Sequence, residues 1–129
     1  MDLVLFALAV PICIADISAF VIPNIYTKIL LYTALLQLVL HGFGRVTEFA
    51  SFLAILVVLL ILGTGMGDIK ILALIMATHN LTATVFIACV FFVAMVHIVV
   101  LTAINRTIPA KLPLAPSIFL GFISYLAAR

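Results

Sequence analysis

The chain has 129 residues, of which 68% are hydrophobic, 10% aromatic and only 8% charged, and its formal net charge is +2. Six Lys or Arg and four Asp or Glu cannot clothe a water-soluble globule, which carries about 25% charged residues, so the composition excludes soluble enzymes. Nucleic acid is excluded as a partner too, because the basic residues are scattered singly along the chain.

A bilayer core about 30 Å thick needs roughly 20 apolar residues per helix, so this length admits at most about six spans joined by short loops. The expected fold is therefore all-α, a polytopic integral membrane protein forming one domain over residues 1–129 with no separate extramembrane part. The first apolar run has an acid at Asp2 and no Lys or Arg before it, so it reads as a retained span rather than a secretion signal. That span covers Leu3 to Ile22 and ends at Pro23-Asn24, where proline stops the ladder and asparagine is placed to cap the next helix. The second span runs from Tyr26 to His41 and is followed by a polar turn over Gly42 to Glu48. The third takes Phe49 to Leu62. Gly63 to Lys70 is too glycine-rich for a helix interior and predicts an irregular turn. A short fourth span, Ile69 to Thr78, is separated by His79-Asn80 from the long fifth, Leu81 to Ile104. A break over Asn105 to Lys111 leads into the sixth, Leu112 to Ala127.

If the spans alternate, Lys28, Lys70, Arg106 and Lys111 gather on one face, against Arg45 and Arg129 on the other. The positive-inside rule then puts the first face in the cytoplasm and the N-terminus outside.

Ionisable groups at membrane depth are costly, and among the acids only Asp16 and Asp68 qualify. Two odd crossings bring both to the cytoplasmic face, where they are able to meet. Two carboxylates sharing a site do not ionise together easily, which supplies a general acid and a general base for activating water against a carbonyl. Taken singly, each has an ordinary role as well: Asp16 as a helix-end carboxylate bonded to Ser18 or nearby backbone, Asp68 as the N-cap of the fourth helix. Gly65 and Gly67 weigh against that, since their missing side chains let backbone or an extended substrate strand come close to Asp68.

The stretch Asp16-Ile17-Ser18-Ala19-Phe20-Val21-Ile22-Pro23-Asn24 resembles the D-x6-P-N element of type IV prepilin peptidases. Gly65-Met66-Gly67-Asp68-Ile69-Lys70 resembles their G-x-G-D-x-K element, and the tail Leu112-Pro113-Leu114-Ala115-Pro116-Ser117-Ile118-Phe119-Leu120-Gly121-Phe122 is similar to the P-x-x-P segment opening their last helix. The matches occur in the same order and run from residue 16 to 122. The resemblance implies a GxGD aspartic endopeptidase of the bacterial inner membrane, with Asp16 and Asp68 as the catalytic pair and its active site facing the cytoplasm. It implies a substrate as well, the short basic leader of a prepilin or pseudopilin, cut before the hydrophobic helix. The chain lacks the tetracysteine zinc region and N-methyltransferase part of larger members, so it looks like the short peptidase-only form of tight-adherence (Flp-type) pilus systems. Family members commonly place basic residues between the first aspartate and the Pro-Asn, whereas Ser18-Ala19-Phe20-Val21 is uncharged here.

Beside this core, Lys70 is a candidate for substrate or electrostatic support, with an interfacial snorkelling lysine as the plain alternative. Pro23 and Asn24 join it as motif residues at the same face. Pro11 should leave the Ala7 carbonyl without its helical donor and kink the first helix about a turn before Asp16. Cys13 and Cys89 stand alone in apolar runs, and His41, His79 and His97 have no ligand spacing, so no metal and no other cofactor is expected. The residues do not set an oligomeric state. A small non-catalytic membrane protein, such as a transporter subunit using Asp16 and Asp68 as a proton relay, is the rival reading; a presenilin-like protease cutting within the substrate helix is a second.

Overall fold

In the computed structural model, which describes residues 2–42, 46–79, 81–106 and 112–128, the chain is all-α. Among the described residues six helices follow one another: α1 (Asp2–Ala19), α2 (Asn24–His41), α3 (Val46–Ile61), α4 (Met66–Thr78), α5 (Ala83–Asn105) and α6 (Ala115–Ala127). They alternate in direction. The ends of α1, α3 and α5 and the starts of α2, α4 and α6 share one end of the bundle, as the bond from Ala115 to Asp16 and the packing of Ile22 on Gly67 require. At the other end Gln37 of α2 bonds the Thr78 carbonyl of α4, and Glu48 of α3 bonds the Ala83 N–H of α5. Arg45, Lys111, Arg129, Asn80 and parts of the two expected loops at 42–48 and 105–111 lie outside the described residues.

The boundaries differ from the sequence expectation in instructive ways. α1 stops at Ala19, not Ile22, because Phe20 adopts a left-handed conformation (φ 51°) while its N–H closes the last turn on the Asp16 carbonyl at 2.9 Å. Pro23 then bars Ile22 from helical geometry, and residues 20–23 become an irregular connector. Asn24 is not a cap. It is the first helical residue of α2, the cap position is Pro23, and Thr27 Oγ1 donates back to the Asn24 carbonyl at 2.9 Å.

α3 starts three residues earlier than expected and takes Glu48 into its first turn, where the helix dipole favours an acid. The expected irregular turn over 63–70 is shorter. α4 already begins at Met66, so Gly67, Asp68, Ile69 and Lys70 are helical; the glycine penalty belongs to helix interiors, and Gly65 and Gly67 sit at the cap and in the first turn. Gly63, at φ 89°, ends α3 in the left-handed geometry that glycine adopts without strain. α5 and α6 start two and three residues later than expected, α6 with Pro116 in its first turn.

Phe20 holds the same kind of helix-ending position as Gly63 with a bulky side chain, at a cost of roughly 1–2 kcal/mol. Phe20→Gly is therefore expected to raise the thermal unfolding temperature of the purified protein; an unchanged or lower temperature would show that the ring's contacts outweigh the backbone strain.

The helices pack around α4, which touches α2, α3 and α6, while α6 also lies against α1 and α5. Ile71 and Ile75 of α4, Leu5 and Ile12 of α1, Leu30 of α2, Phe52 of α3, Phe86 of α5 and Ile118 and Phe122 of α6 are fully enclosed. Phe86 meets the edges of Phe122 and Tyr125 with centroids 6.3 and 6.2 Å apart, tilted pairings that aromatic quadrupoles favour. Outside this core the surface is unusually apolar: Val39, Leu40, Ile61, Phe92, Val99 and Ile104 all face outward. Among the described residues one segment, Ala83–Ile104, is long and apolar enough to cross a membrane, with mean hydropathy 2.8 over its best window. The remaining apolar helices are shorter; 13 residues of α4 or α6 reach about 20 Å at 1.5 Å per residue.

Candidate active site

Asp16 sits one turn before the end of α1 and Asp68 in the first turn of α4, so antiparallel packing brings both to one end of the bundle. Both are buried, at 4% and 8% exposure. The chain's four acids are Asp2, Asp16, Glu48 and Asp68, and Glu48 is spent at the opposite end, accepting the Ala83 N–H at 3.1 Å. Asp16 and Asp68 are thus the two buried acids at the same end of the bundle among the described residues.

Their surroundings differ. Asp16 Oδ2 accepts the backbone N–H of Ala115 at 2.8 Å, a buried bond between the end of α1 and the start of α6. Helix starts leave N–H groups without internal acceptors, and Pro116 has no N–H of its own, so Asp16 satisfies a donor that α6 exposes there. The local role expected for Asp16 does not apply: Ser18 Oγ donates to the Ala15 carbonyl instead, at 3.2 Å. Asp68 is not an N-cap either. Gly65 holds that position, no side chain caps the helix, and Asp68 Oδ1 has no hydrogen-bond partner among the described residues although it is buried. A buried carboxylate oxygen with no donor is costly in a purely structural acid.

The two glycines of the turn have separate steric reasons. A Cβ on Gly65 would lie 3.1 Å from Asp68 Oδ2, so its absence leaves room for the carboxylate itself. A Cβ on Gly67 would lie 3.1 Å from the Ile22 side chain, so its absence lets the connector after α1 close onto the first turn of α4. The space expected for a substrate strand is, at these two atoms, used by the chain's own residues. Neither position needs glycine for its backbone angles, as Gly65 has φ −59°.

Lys70 is exposed and turned away from Asp68. Residues two apart on a helix do not share a face, and Lys70 instead lines a groove of about 470 Å³ with Asn24 and Lys28 of α2. Pro23, at the cap position of α2, is exposed beside it. Cys13 and Cys89 are half-buried free thiols.

Three contributors were not legible from the acids and the glycine motif. Ile22 is the residue Gly67 makes room for. Ser117, fully buried, bonds His97 Nδ1 across α5 and α6 at 3.2 Å. Gly121, one turn further on, lies so close to α5 that a Cβ would fall 2.7 Å from Val90 Cα. The spacing Ser117-x3-Gly121 is the available signal, since small residues four apart let two helices approach closely. Ser117 and Gly121 both hold α6 against α5, on the helix that starts at Ala115.

No protein-family model, no curated protein and no solved structure matches the chain.

Proposed function

We propose that the protein is a multi-pass membrane aspartic endopeptidase of the prepilin-peptidase kind, cutting the leader of a type IV prepilin or pseudopilin at the cytoplasmic face of a bacterial plasma membrane. The observation that carries this reading is the buried pair Asp16–Asp68, drawn from α1 and α4 to one end of the bundle, with Gly65 and Gly67 at the start of α4 beside it. Embedding in the bilayer is supported by the length of α5 and by the breadth of apolar surface on the other helices.

In this mechanism the two carboxyl groups hold one proton between them. The ionised member removes a proton from water, whose oxygen attacks the scissile carbonyl carbon, while the protonated member gives its proton to the carbonyl oxygen. Collapse of the tetrahedral adduct breaks the C–N bond: the proton taken from water passes to the leaving amine, and one hydroxyl proton of the adduct returns to the other carboxylate, which restores the one-proton pair. Titration belongs to the pair, so the roles of base and acid are shared rather than assigned to one residue. The Ala115 N–H and the start of α6 hold Asp16 in place, and Asp68 Oδ1 remains an open acceptor for the water. Neither a metal nor another cofactor takes part in these steps.

The direct test is co-expression with candidate prepilins and mass spectrometry of the processed N-terminus. A cut immediately after a glycine, between a basic leader and the hydrophobic helix, is expected. A cut within the hydrophobic helix would assign the chain to intramembrane proteolysis instead, and no cut with any prepilin would remove the proposal.

A further inference from the structure

The groove between α2 and α4 is formed by two matching helix stripes. Lys28 is the fifth residue of α2 and Lys70 the fifth of α4, so both ammonium groups stand one turn inside helix starts at the same end of the bundle. Behind them the walls turn apolar: Leu31 lies three residues beyond Lys28, and Ala73 and Leu74 lie three and four beyond Lys70, about 4.5–6 Å deeper along the helices. Thr27 adds one hydroxyl, already donating to the Asn24 carbonyl. α2, which forms one wall, also exposes Ile25, Ile29, Tyr32 and Leu35. A cationic mouth over an apolar trough, on a helix whose exposed side chains are largely apolar, is complementary to an amphiphile with an anionic head and a hydrocarbon tail. It does not suit a water-soluble acidic peptide, whose flanks would lie against aliphatic side chains.

We propose that this groove seats one anionic phospholipid, its phosphate between Lys28 and Lys70 and one acyl chain along Leu31, Ala73 and Leu74. The inference rests on the membrane reading above but not on the peptidase chemistry. Lysines near a membrane surface attract anionic headgroups, and two acting together are expected to favour phosphatidylglycerol over phosphatidylcholine by about thirtyfold at low salt.

The experiment takes the full-length protein from membranes into detergent, titrates it with phosphatidylglycerol or phosphatidylcholine, and counts retained lipids by native mass spectrometry. One tightly held phosphatidylglycerol is expected, its preference falling at least tenfold in the Lys28→Gln/Lys70→Gln variant. Ala73→Trp, which keeps both charges and fills the trough, should also expel it. Arg106→Gln removes a cation at the same end of the bundle but outside the groove and should leave retention unchanged. Equal loss in Arg106→Gln would show general charge attraction and overturn the seat, as would retention that survives the double variant. Displacement by millimolar inorganic phosphate, with no response to Ala73→Trp, would make it a free-anion site. Carbonate extraction of the same membranes separates the two levels: release of the protein would sink the membrane reading, while a retained protein without lipid preference would sink only the groove.

Discussion

Asp16→Asn and Asp68→Asn are each expected to abolish prepilin cleavage while leaving the protein in the membrane at normal level. The general acid and general base are one coupled unit, so loss of either carboxylate removes the shared proton and the orientation of the water together; such units lose nearly all activity to a single substitution. The two variants should differ in stability. Asparagine at position 16 can still accept the Ala115 N–H through its amide oxygen, so the α1–α6 bond survives without its charge. Asparagine at 68 removes a buried charge whose Oδ1 has no partner among the described residues, and it is expected to be tolerated or mildly stabilising. Asp68→Glu should fail as well, because a longer side chain shifts the reacting oxygen by about 1 Å, which can cost on the order of 100-fold. Glu48→Gln, at the opposite end, keeps an acceptor for the Ala83 N–H and should cleave nearly as wild type. Immunoblots of membrane fractions control for insertion. Near-wild-type cleavage by either asparagine variant would end the paired-aspartate assignment and leave the proton relay as the better reading.

How far such a site was legible depended on which interactions the sequence pattern encodes. Asp16 and Asp68 stood out because a carboxylate in an apolar run is rare, and alternating apolar runs alone put them at one end. Helix existence and order followed from the same runs. Helix ends did not: Phe20 in a left-handed conformation is invisible to composition, and Gly67-Asp68 reads as a turn until the tolerance of a helix's first turn is considered. The reason for each glycine was equally hidden. Both were legible as room, but whose atoms fill that room depends on Ile22 and the Asp68 carboxylate arriving from particular directions. Ala115 contributes only a backbone N–H, which no side-chain pattern marks, although Pro113 and Pro116 around it signal a helix start that needs an acceptor.

Gly121→Ala is expected to be the most damaging substitution that touches neither aspartate. A Cβ there would lie 2.7 Å from Val90 Cα, 2.9 Å from its N and 2.8 Å from its Cγ2, all below any real contact distance. Two of the three atoms are backbone, so no rotamer change relieves the overlap and the helices must part by about 1 Å; overpacking of this kind costs about 1–3 kcal/mol. Gly67→Ala differs in kind, since its 3.1 Å neighbours are side-chain atoms of Ile22, which can give way by a few tenths of an ångström. Separation of α6 from α5 would stretch the His97–Ser117 bond and carry the start of α6 with it, because Ala115 lies on the same rigid helix about 9 Å away. The Ala115 N–H would then leave Asp16, and misplacement by about 1 Å at a reacting group can cost on the order of 100-fold in rate. The expected result is a lower unfolding temperature together with a loss of cleavage larger than the loss of folded protein. Val90→Ala should rescue it little, as it removes Cγ2 but leaves Cα and N in place, and Leu120→Ala, on the exposed side of α6, should change neither readout appreciably. A Gly121→Ala protein with wild-type stability and wild-type cleavage would mean that the approach of α5 and α6 does not set the position of Asp16.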